Sequence, residues 1–378
     1  MNFELSEEHE LIRSTVREFA EQRVAPVAEE LDREHRFPYE LVEELAELGL
    51  MGLPIPERWG GAGGDTISYA IAVEELARID SSVCITVAAH TSLGTMPILL
   101  FGTEEQKQEW LPDLAGGRRL AAFGLTEPGA GSDAGATRTR AELRDGQWVI
   151  DGSKIFITNA GTDITACVTI TALTGDGEVS NIVVPNGTDG YVISEPMEKM
   201  GWRASDTREL SFQACAVPAG NLLGARGAGL HQFLEILDGG RISVAAMAVG
   251  LAQGAFELAT EYARERHQFG RPIADFQAVQ FMLADMAVAI DAGRLLTYKA
   301  AWLKDQGKPF AQEAAVAKLY TGEVSNRVVN SALQIHGGYG FMSEFAISRL
   351  YRDQKILEIG EGTNEVQRMV IARHLGIT

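Results

Sequence analysis

One carboxylate near the end of the chain stands between two glycines, in Leu357-Glu358-Ile359-Gly360-Glu361-Gly362-Thr363-Asn364-Glu365. Glycine on each side removes Cβ bulk, so a ligand can approach the backbone and the carboxylate can be aimed. Thr363 or Asn364 can cap a following helix, whose first amides attract anions. A carboxylate so placed can act as a general base; the pattern also reads as a solvated Gly-rich turn. Four further stretches carry residue types suited to chemistry. From Ala121 to Gly135 an apolar strand runs into a Gly-rich loop with hydroxyls at Thr126 and Ser132. Its glycines miss the dinucleotide fingerprint and no helix pattern follows, so a Rossmann turn is rejected. The loop suits a planar polar ring or a phosphate chain, or is a structural turn. Phe156 and Thr158 share a strand face and can stack on and hydrogen-bond a flat ring, unless Phe156 is core. Arg264, Arg266, His267 and Arg271 cluster in an otherwise acidic chain, as a phosphate seat or as cations at a helix end. Gln334-Ile335-His336-Gly337-Gly338-Tyr339-Gly340 offers three glycines where a helix C-cap needs one, which points to close approach of a ligand or a second copy. His336 has no Ser or Cys partner and is given no catalytic role.

Three blocks of elements must position these groups. Residues 3 to about 118 read as helices. Ser6 caps a helix with Leu11, Ile12, Val16, Phe19 and Val24 on one stripe, with Pro26 after it. Pro38 opens a second helix, with Leu41, Leu45 and Leu48 inside and Gly49 at its end. Gly60 to Gly64 reads as a flexible connector, and a segment from Thr103 stops at Pro112. Helical spacing covers Ile67–Ile79 and Val83–Leu93 between them, and Gly116-Gly117 marks a boundary. From Leu120 to Pro218 the pattern is β, with Asp145-Gly146 and Asp151-Gly152 as hairpin turns. Short strands with close turns suggest a small barrel or sandwich. From Gly227 the chain is helical again, with a long Ala-rich candidate over 241–266, then 276–304, 311–336 and two helices flanking Glu361. The domains are therefore expected at 1–118, 119–226 and 227–378. The order all-α, β, all-α is not the alternating grammar of a dinucleotide-binding α/β fold.

The 378 residues carry a net charge of −19, which argues against nucleic acid and anionic membranes as general partners. Cys84, Cys167 and Cys215 are scattered, so neither a disulfide framework nor a structural zinc is expected, and a reducing cytoplasm fits. No signal peptide is visible, and the most apolar run, 242–252, falls short of the ~20 residues that span a bilayer.

Taken in order, the Thr126–Asp133 loop, the Phe156–Asn159 strand, the Arg266–Phe269 helix end, the Gln334–Gly340 turn and Glu361–Glu365 resemble the acyl-CoA dehydrogenase family over essentially the whole chain. The resemblance implies an α+β multidomain fold, with an N-terminal helical domain, a middle β-barrel and a C-terminal four-helix-bundle-like domain, usually assembled as a homotetramer. It implies non-covalent FAD bordered by Phe123, Leu125, Thr126 and Ser132, with Phe156, Ile157 and Thr158 along the isoalloxazine. Arg266, Phe269, Gln277, Gln334, Ile335, Gly337 and Gly338 would hold the pyrophosphate and adenosine, some from a neighbouring subunit, and Thr363 and Glu365 would finish that contact. Ser132, Asp238, Arg241 and Gly362 would meet the acyl-CoA. The implied reaction is α,β-dehydrogenation of an acyl-CoA thioester to the trans-2-enoyl-CoA, as in fatty acid β-oxidation. Glu361 would remove the α-proton, the β-hydride would pass to flavin N5, and electrons would pass to an electron-transfer flavoprotein. An O₂-using oxidase of the same fold and a non-catalytic flavin or acyl-CoA binder are the alternatives. No metal is implied. Some branches of the family carry the base near Asp238–Arg241, but Gly239 and Gly240 offer no carboxylate there. One departure is Gly360, where an aromatic residue commonly precedes the Glu-Gly-Thr.

Overall fold

The computed structural model describes residues 4–377, so Phe3, where the helical pattern was expected to start, lies outside the described residues. Helix α1 (Glu7–Phe19) starts where Ser6 accepts the His9 N–H, and continues as a π-helical run to Val24. The short α2 (Ala28–Glu34) and α3 (Tyr39–Glu47) follow. Then come α4 (Thr66–Ile79), α5 (Ser81–Ala88), α6 (Met96–Phe101) and α7 (Glu104–Ala115), with Ala89–Thr95 joining α5 to α6 as another π-helical run. Asp65 and Asp80 cap α4 and α5, and Thr103 with Gln106 forms a capping box on α7. Several expectations fail locally. Leu11 and Leu48 face outward at 66% and 44% exposure, so the buried stripes run through Val16, Phe19, Leu41 and Leu45. Pro112 lies inside α7 and does not stop it, since losing one N–H there removes a single helical bond. Gly60–Gly64 is a packed turn: Ala62 N–H and Gly63 N–H donate to the Gly52 and Ile55 carbonyls, and a Cβ on Gly61 would lie 2.5 Å from Ile55 Cβ.

The middle block is one mixed eight-stranded sheet in the order β6-β7-β3-β2-β4-β5-β8, with β1 added parallel to β4. Its strands are β1 (Leu120–Gly124), β2 (Arg140–Arg144), β3 (Gln147–Thr158), β4 (Thr165–Gly175), β5 (Glu178–Pro185), β6 (Tyr191–Ile193), β7 (Thr207–Pro218) and β8 (Leu222–Leu223). Tyr191 from one end of the sheet and Ile182 from near the other share a core with Trp148, Ile150, Val168, Leu210 and Phe212, so the sheet curls round one interior. Asp145-Gly146 makes the expected hairpin, both residues at positive φ. Asp151-Gly152 does not turn the chain: it is a bulge within β3, where Gly152 has φ +150° and a Cβ would meet Thr139 Oγ1 at 2.6 Å.

The last block opens with α8 (Gly229–Glu265), which runs unbroken through Gly239-Gly240 and so starts well before Arg241. A small exposed hairpin of β9 (His267–Gln268) and β10 (Arg271–Pro272) leads to α9 (Gln277–Asp305), α10 (Ala311–His336), α11 (Ala346–Asp353), a 3₁₀ turn over Gln354–Glu358, and α12 (Asn364–His374). The two helical blocks, separated by the sheet in sequence, share one core that joins Leu45, Val73 and Leu76 to Met247, Leu251, Ile290, Val328 and Leu350. Small residues permit this, since Gly250 and Gly254 of α8 lie directly on the backbone of α4 and leave no room for a Cβ. Ser81–Phe101 and α8 are long and apolar enough to cross a membrane, contrary to the run-length count, but 78% of each apolar window is buried within the fold.

Candidate active site

Glu361 sits in the turn between the 3₁₀ segment and α12, at φ +51°, with Gly362 at +87°. Two left-handed residues in succession reverse the chain and turn the carboxylate inward. Thr363 then caps α12, accepting the Val366 N–H at 3.3 Å. The turn is held from behind. The ammonium of the fully buried Lys318 donates to Gly362 O at 2.8 Å and Asn364 Oδ1 at 3.2 Å. Gln367 Nε2 donates to the carbonyls of Gly362 at 2.9 Å and Glu361 at 3.3 Å.

The carboxylate itself is left unpaired. Glu361 Oε2 is sealed from solvent with no hydrogen-bond partner among the described residues. It rests against Gly240 of α8, where a Cβ would overlap Oε2 and stand 3.0 Å from Cδ. Burial pushes the Glu361 pKa up to about 7, against the opposing pull of Lys318 and Arg241. Arg241 is almost wholly buried and donates to Asp238 Oδ1 at 2.5 Å. Asp238, partly exposed, and Arg241 thus form an ion pair on α8 that flanks Gly240 in sequence. The Glu361 N–H donates to no group among the described residues, so it too is available.

The Gly-rich loop approaches from the middle block. Phe123, Leu125 and Ala134 pack with Phe233, Ile236 and Leu237 of α8, within about two helical turns before Gly240. The loop and Glu361 therefore share α8 as a wall. Within the loop, the hydroxyls of Thr126 and Ser132 make no hydrogen bond among the described residues, and neither does Thr158 on β3. Ile157 is buried, whereas Phe156 is 62% exposed and left-handed, at φ +64°. Free hydroxyls around an uncovered aromatic face fit the flat polar ring of the flavin that the motifs implied.

The second group of expected residues lies elsewhere. Arg266, Ile335, Gly337 and Gly338 line one open groove of about 550 Å³ with Tyr262 and Tyr339. The Arg266 guanidinium lies over the Tyr339 ring at 5.4 Å and has no carboxylate partner among the described residues, which leaves it free for a phosphate. A Cβ at Gly337 or Gly338 would meet nothing within 4 Å, so both glycines leave their side of the groove open. Phe269, at 93% exposure, projects from the β9–β10 hairpin, and Gln277 and Gln334 are exposed nearby at helix ends. Glu365 is exposed on the first turn of α12. Arg266 caps α8 26 residues after Gly240, roughly 39 Å along the helix axis. One chain therefore does not bring the groove and Glu361 together.

Three site residues escaped the sequence reading. Lys318 had a signal, a lone lysine in Ala314-Ala315-Val316-Ala317-Lys318, too apolar a run for a solvated cation. Glu127 and Lys154, paired at 2.7 Å beneath the Gly-rich loop, are 27 positions apart and had none.

Comparison with known proteins places this geometry in context. Family models for the acyl-CoA dehydrogenase N-terminal, middle and C-terminal domains match residues 6–118, 122–215 and 227–376. A probable acyl-CoA dehydrogenase of Bacillus subtilis, YngJ, is 52% identical over 99% of this chain and 100% of its own length. The short-chain specific acyl-CoA dehydrogenase of Clostridium acetobutylicum is 47% identical over 98% and 99%. Among solved structures, butyryl-CoA dehydrogenase from Megasphaera elsdenii superposes with a TM-score of 0.97 at 43% identity, over 99% of this chain and all of that one. A chain from a structure of the electron transferring flavoprotein of Acidaminococcus fermentans gives 0.97 at 45%, over 99% of both. An acyl-CoA dehydrogenase from Bacillus anthracis complexed with FAD gives 0.94 at 36%, over 98% of this chain and 67% of that one.

Proposed function

Since the chain belongs to the acyl-CoA dehydrogenase family, we propose that it oxidises a short acyl-CoA thioester to the trans-2-enoyl-CoA, with Glu361 as the base. The observation that carries this reading is the Glu361 carboxylate, whose Oε2 is sealed against Gly240 with no partner among the described residues and whose pKa is near neutrality. The α-proton of a thioester is weakly acidic, so its removal needs an aimed base and a donor to the developing enolate oxygen. Glu361 supplies the base and its unengaged N–H a donor, while Lys318 and Gln367 fix the turn that carries both. Thr126, Ser132, Phe156 and Thr158 are the groups proposed to hold the ring of FAD, and Arg266 with Gly337 and Gly338 the phosphates. When bound, FAD supplies the acceptor for the β-hydride. Anaerobic mixing of the holoprotein with a panel of acyl-CoAs tests the reading: loss of flavin colour with enoyl-CoA formation supports it, and no colour change with any acyl-CoA sinks it. The electron-transfer flavoprotein is proposed as the acceptor, and peroxide formed in step with enoyl-CoA would instead point to O₂.

The base should set the pH dependence. Glu361 abstracts a proton only when ionised, so the rate of flavin reduction should rise with pH through about 7 and level off above it. Lys318→Met removes a buried cation that lowers the Glu361 pKa, and should move that rise to higher pH. A rise that stays in place in this variant would contradict the electrostatic account.

A homotetramer, or at least a dimer, is proposed because the groove and Glu361 lie too far apart within one chain for one dinucleotide to reach both. Uncovered apolar faces support it: Phe281, Val288, Leu295 and Trp302 repeat every seven residues along α9, all exposed. Val288→Glu should dissociate the assembly and lower FAD content together, read by sedimentation and by the flavin-to-protein ratio. A monomer that keeps full FAD would refute this.

Gly360 bears on substrate choice. A Cβ there would meet only Ile356, at 3.4 Å or more, so the turn has room for the side chain it lacks. We expect tolerance of branched or bulkier acyl groups, read from kcat/KM over a series of chain lengths and branches. A sharp optimum at butyryl-CoA with branched esters inert would count against it.

A further inference from the structure

Beneath the Gly-rich loop lies an ion pair that the chemistry above does not use. Lys154 is fully buried, and its Nζ donates to Leu125 O at 3.1 Å, Glu127 Oε1 at 2.7 Å, Thr171 Oγ1 at 3.0 Å and Thr137 Oγ1 at 3.2 Å. Glu127, also buried, accepts from the Thr137 hydroxyl at 2.5 Å and from the N–H groups of Arg138 at 2.6 Å and Thr139 at 3.0 Å. Both ends of the loop, at 125–127 and 137–139, therefore converge on one pair of charges.

The strand that carries Phe156 is bulged immediately after Lys154. Lys154 pairs with Leu210 of β7 and Ile157 with Arg208, so Ile155 and Phe156 together oppose Glu209 alone. This is a one-residue bulge, and it releases the Ile155 N–H from the ladder. That N–H donates instead to Thr126 O at 2.8 Å. The bulge, the left-handed Phe156 and the Thr126 segment are thus one unit, fastened immediately beside Lys154.

A buried ion pair is weak evidence for stability, since well-packed apolar residues often serve as well or better. Its retention here calls for another role. We propose that Lys154 and Glu127 are positioning residues for the flavin: together they fix the Leu125–Thr126 segment and the Phe156–Thr158 segment at the spacing that grips the ring. This deepens the reading above and rests on it. Burial lowers Lys154 to about 8, and although burial would raise Glu127, the hydrogen bonds from Lys154 and Thr137 and the Lys154 charge bring it down to about 2, so both are ionised at neutral pH.

The test compares wild type with the charge-free double variant Lys154→Met/Glu127→Gln, which leaves no uncompensated buried charge and so keeps folding separate from binding. The dissociation constant for FAD, the visible flavin band and the melting temperature of the apoprotein are measured. The double variant is expected to melt within a few degrees of wild type, yet to bind FAD roughly ten- to a hundredfold more weakly, with an altered flavin band. Lys154→Met alone, which strands the Glu127 carboxylate, is expected to melt lower than the double variant. Wild-type FAD affinity and an unchanged band in the double variant would overturn the proposal while leaving the dehydrogenase reading intact. A loss of affinity that only follows a loss of apoprotein stability would also overturn it. A wild-type protein that takes up no FAD would overturn both.

Discussion

Glu361→Gln should keep its flavin and bind acyl-CoA, yet fail to bleach on anaerobic mixing, with flavin reduction slowed about 10²- to 10⁴-fold. The substitution is nearly isosteric and removes only the ability to take a proton. The surroundings should tolerate it. Lys318 keeps Gly362 O and Asn364 as partners, and Arg241 keeps Asp238, so neither cation is stranded. Gln367 and Lys318 hold the turn through backbone carbonyls that the change does not touch. Acyl-CoA affinity should therefore stay close to wild type while the chemical step is lost. A variant that bleaches at near wild-type rate would remove Glu361 from the mechanism.

Gly240→Ala should separate stability from activity. In the interior of a long helix, alanine is favoured over glycine by about 1 kcal/mol. At position 240 the added methyl would overlap Glu361 Oε2, and the carboxylate would have to move. A misplacement of about 1 Å can cost about 10²-fold in rate. We expect a melting temperature at or above wild type, unchanged FAD content, and flavin reduction slowed about 100-fold. An alanine variant with full activity would mean that the carboxylate works from a position away from α8.

Gly240 also shows where the sequence was legible. Gly362 stands beside Glu361 in the chain, and its positive φ could be anticipated from residue type. The glycine that seats the carboxylate is about 120 positions away, and in the sequence it shows only the lack of a carboxylate there. The Ala-rich helix expected over 241–266 in fact begins at Gly229, and its small residues lie against α4. The Asp151-Gly152 pair misled in another way, because the φ freedom that makes a hairpin also makes a bulge within one strand. Gly60–Gly64 looked flexible because glycine removes side chains, and here that lack lets the turn pack onto Gly52 and Ile55. The α–β–α order and the Ser6 cap were legible, because each rests on local pattern, and of Thr363 and Asn364 it is Thr363 that caps α12. Lys318 and the Glu127–Lys154 pair were not, because burial of a charge depends on what the fold brings to it from afar. On α12 the residues that face inward are the polar Asn364 and Gln367, whereas Met369 is exposed.

The most direct test of the central claim is a single anaerobic turnover of the wild-type holoprotein with butyryl-CoA, following flavin colour by stopped flow and identifying the thioester by mass spectrometry. The account predicts one trans-2-enoyl-CoA formed per flavin bleached, at a rate that rises with pH through about 7. Bleaching without enoyl-CoA, or a rate indifferent to pH across that range, would contradict it.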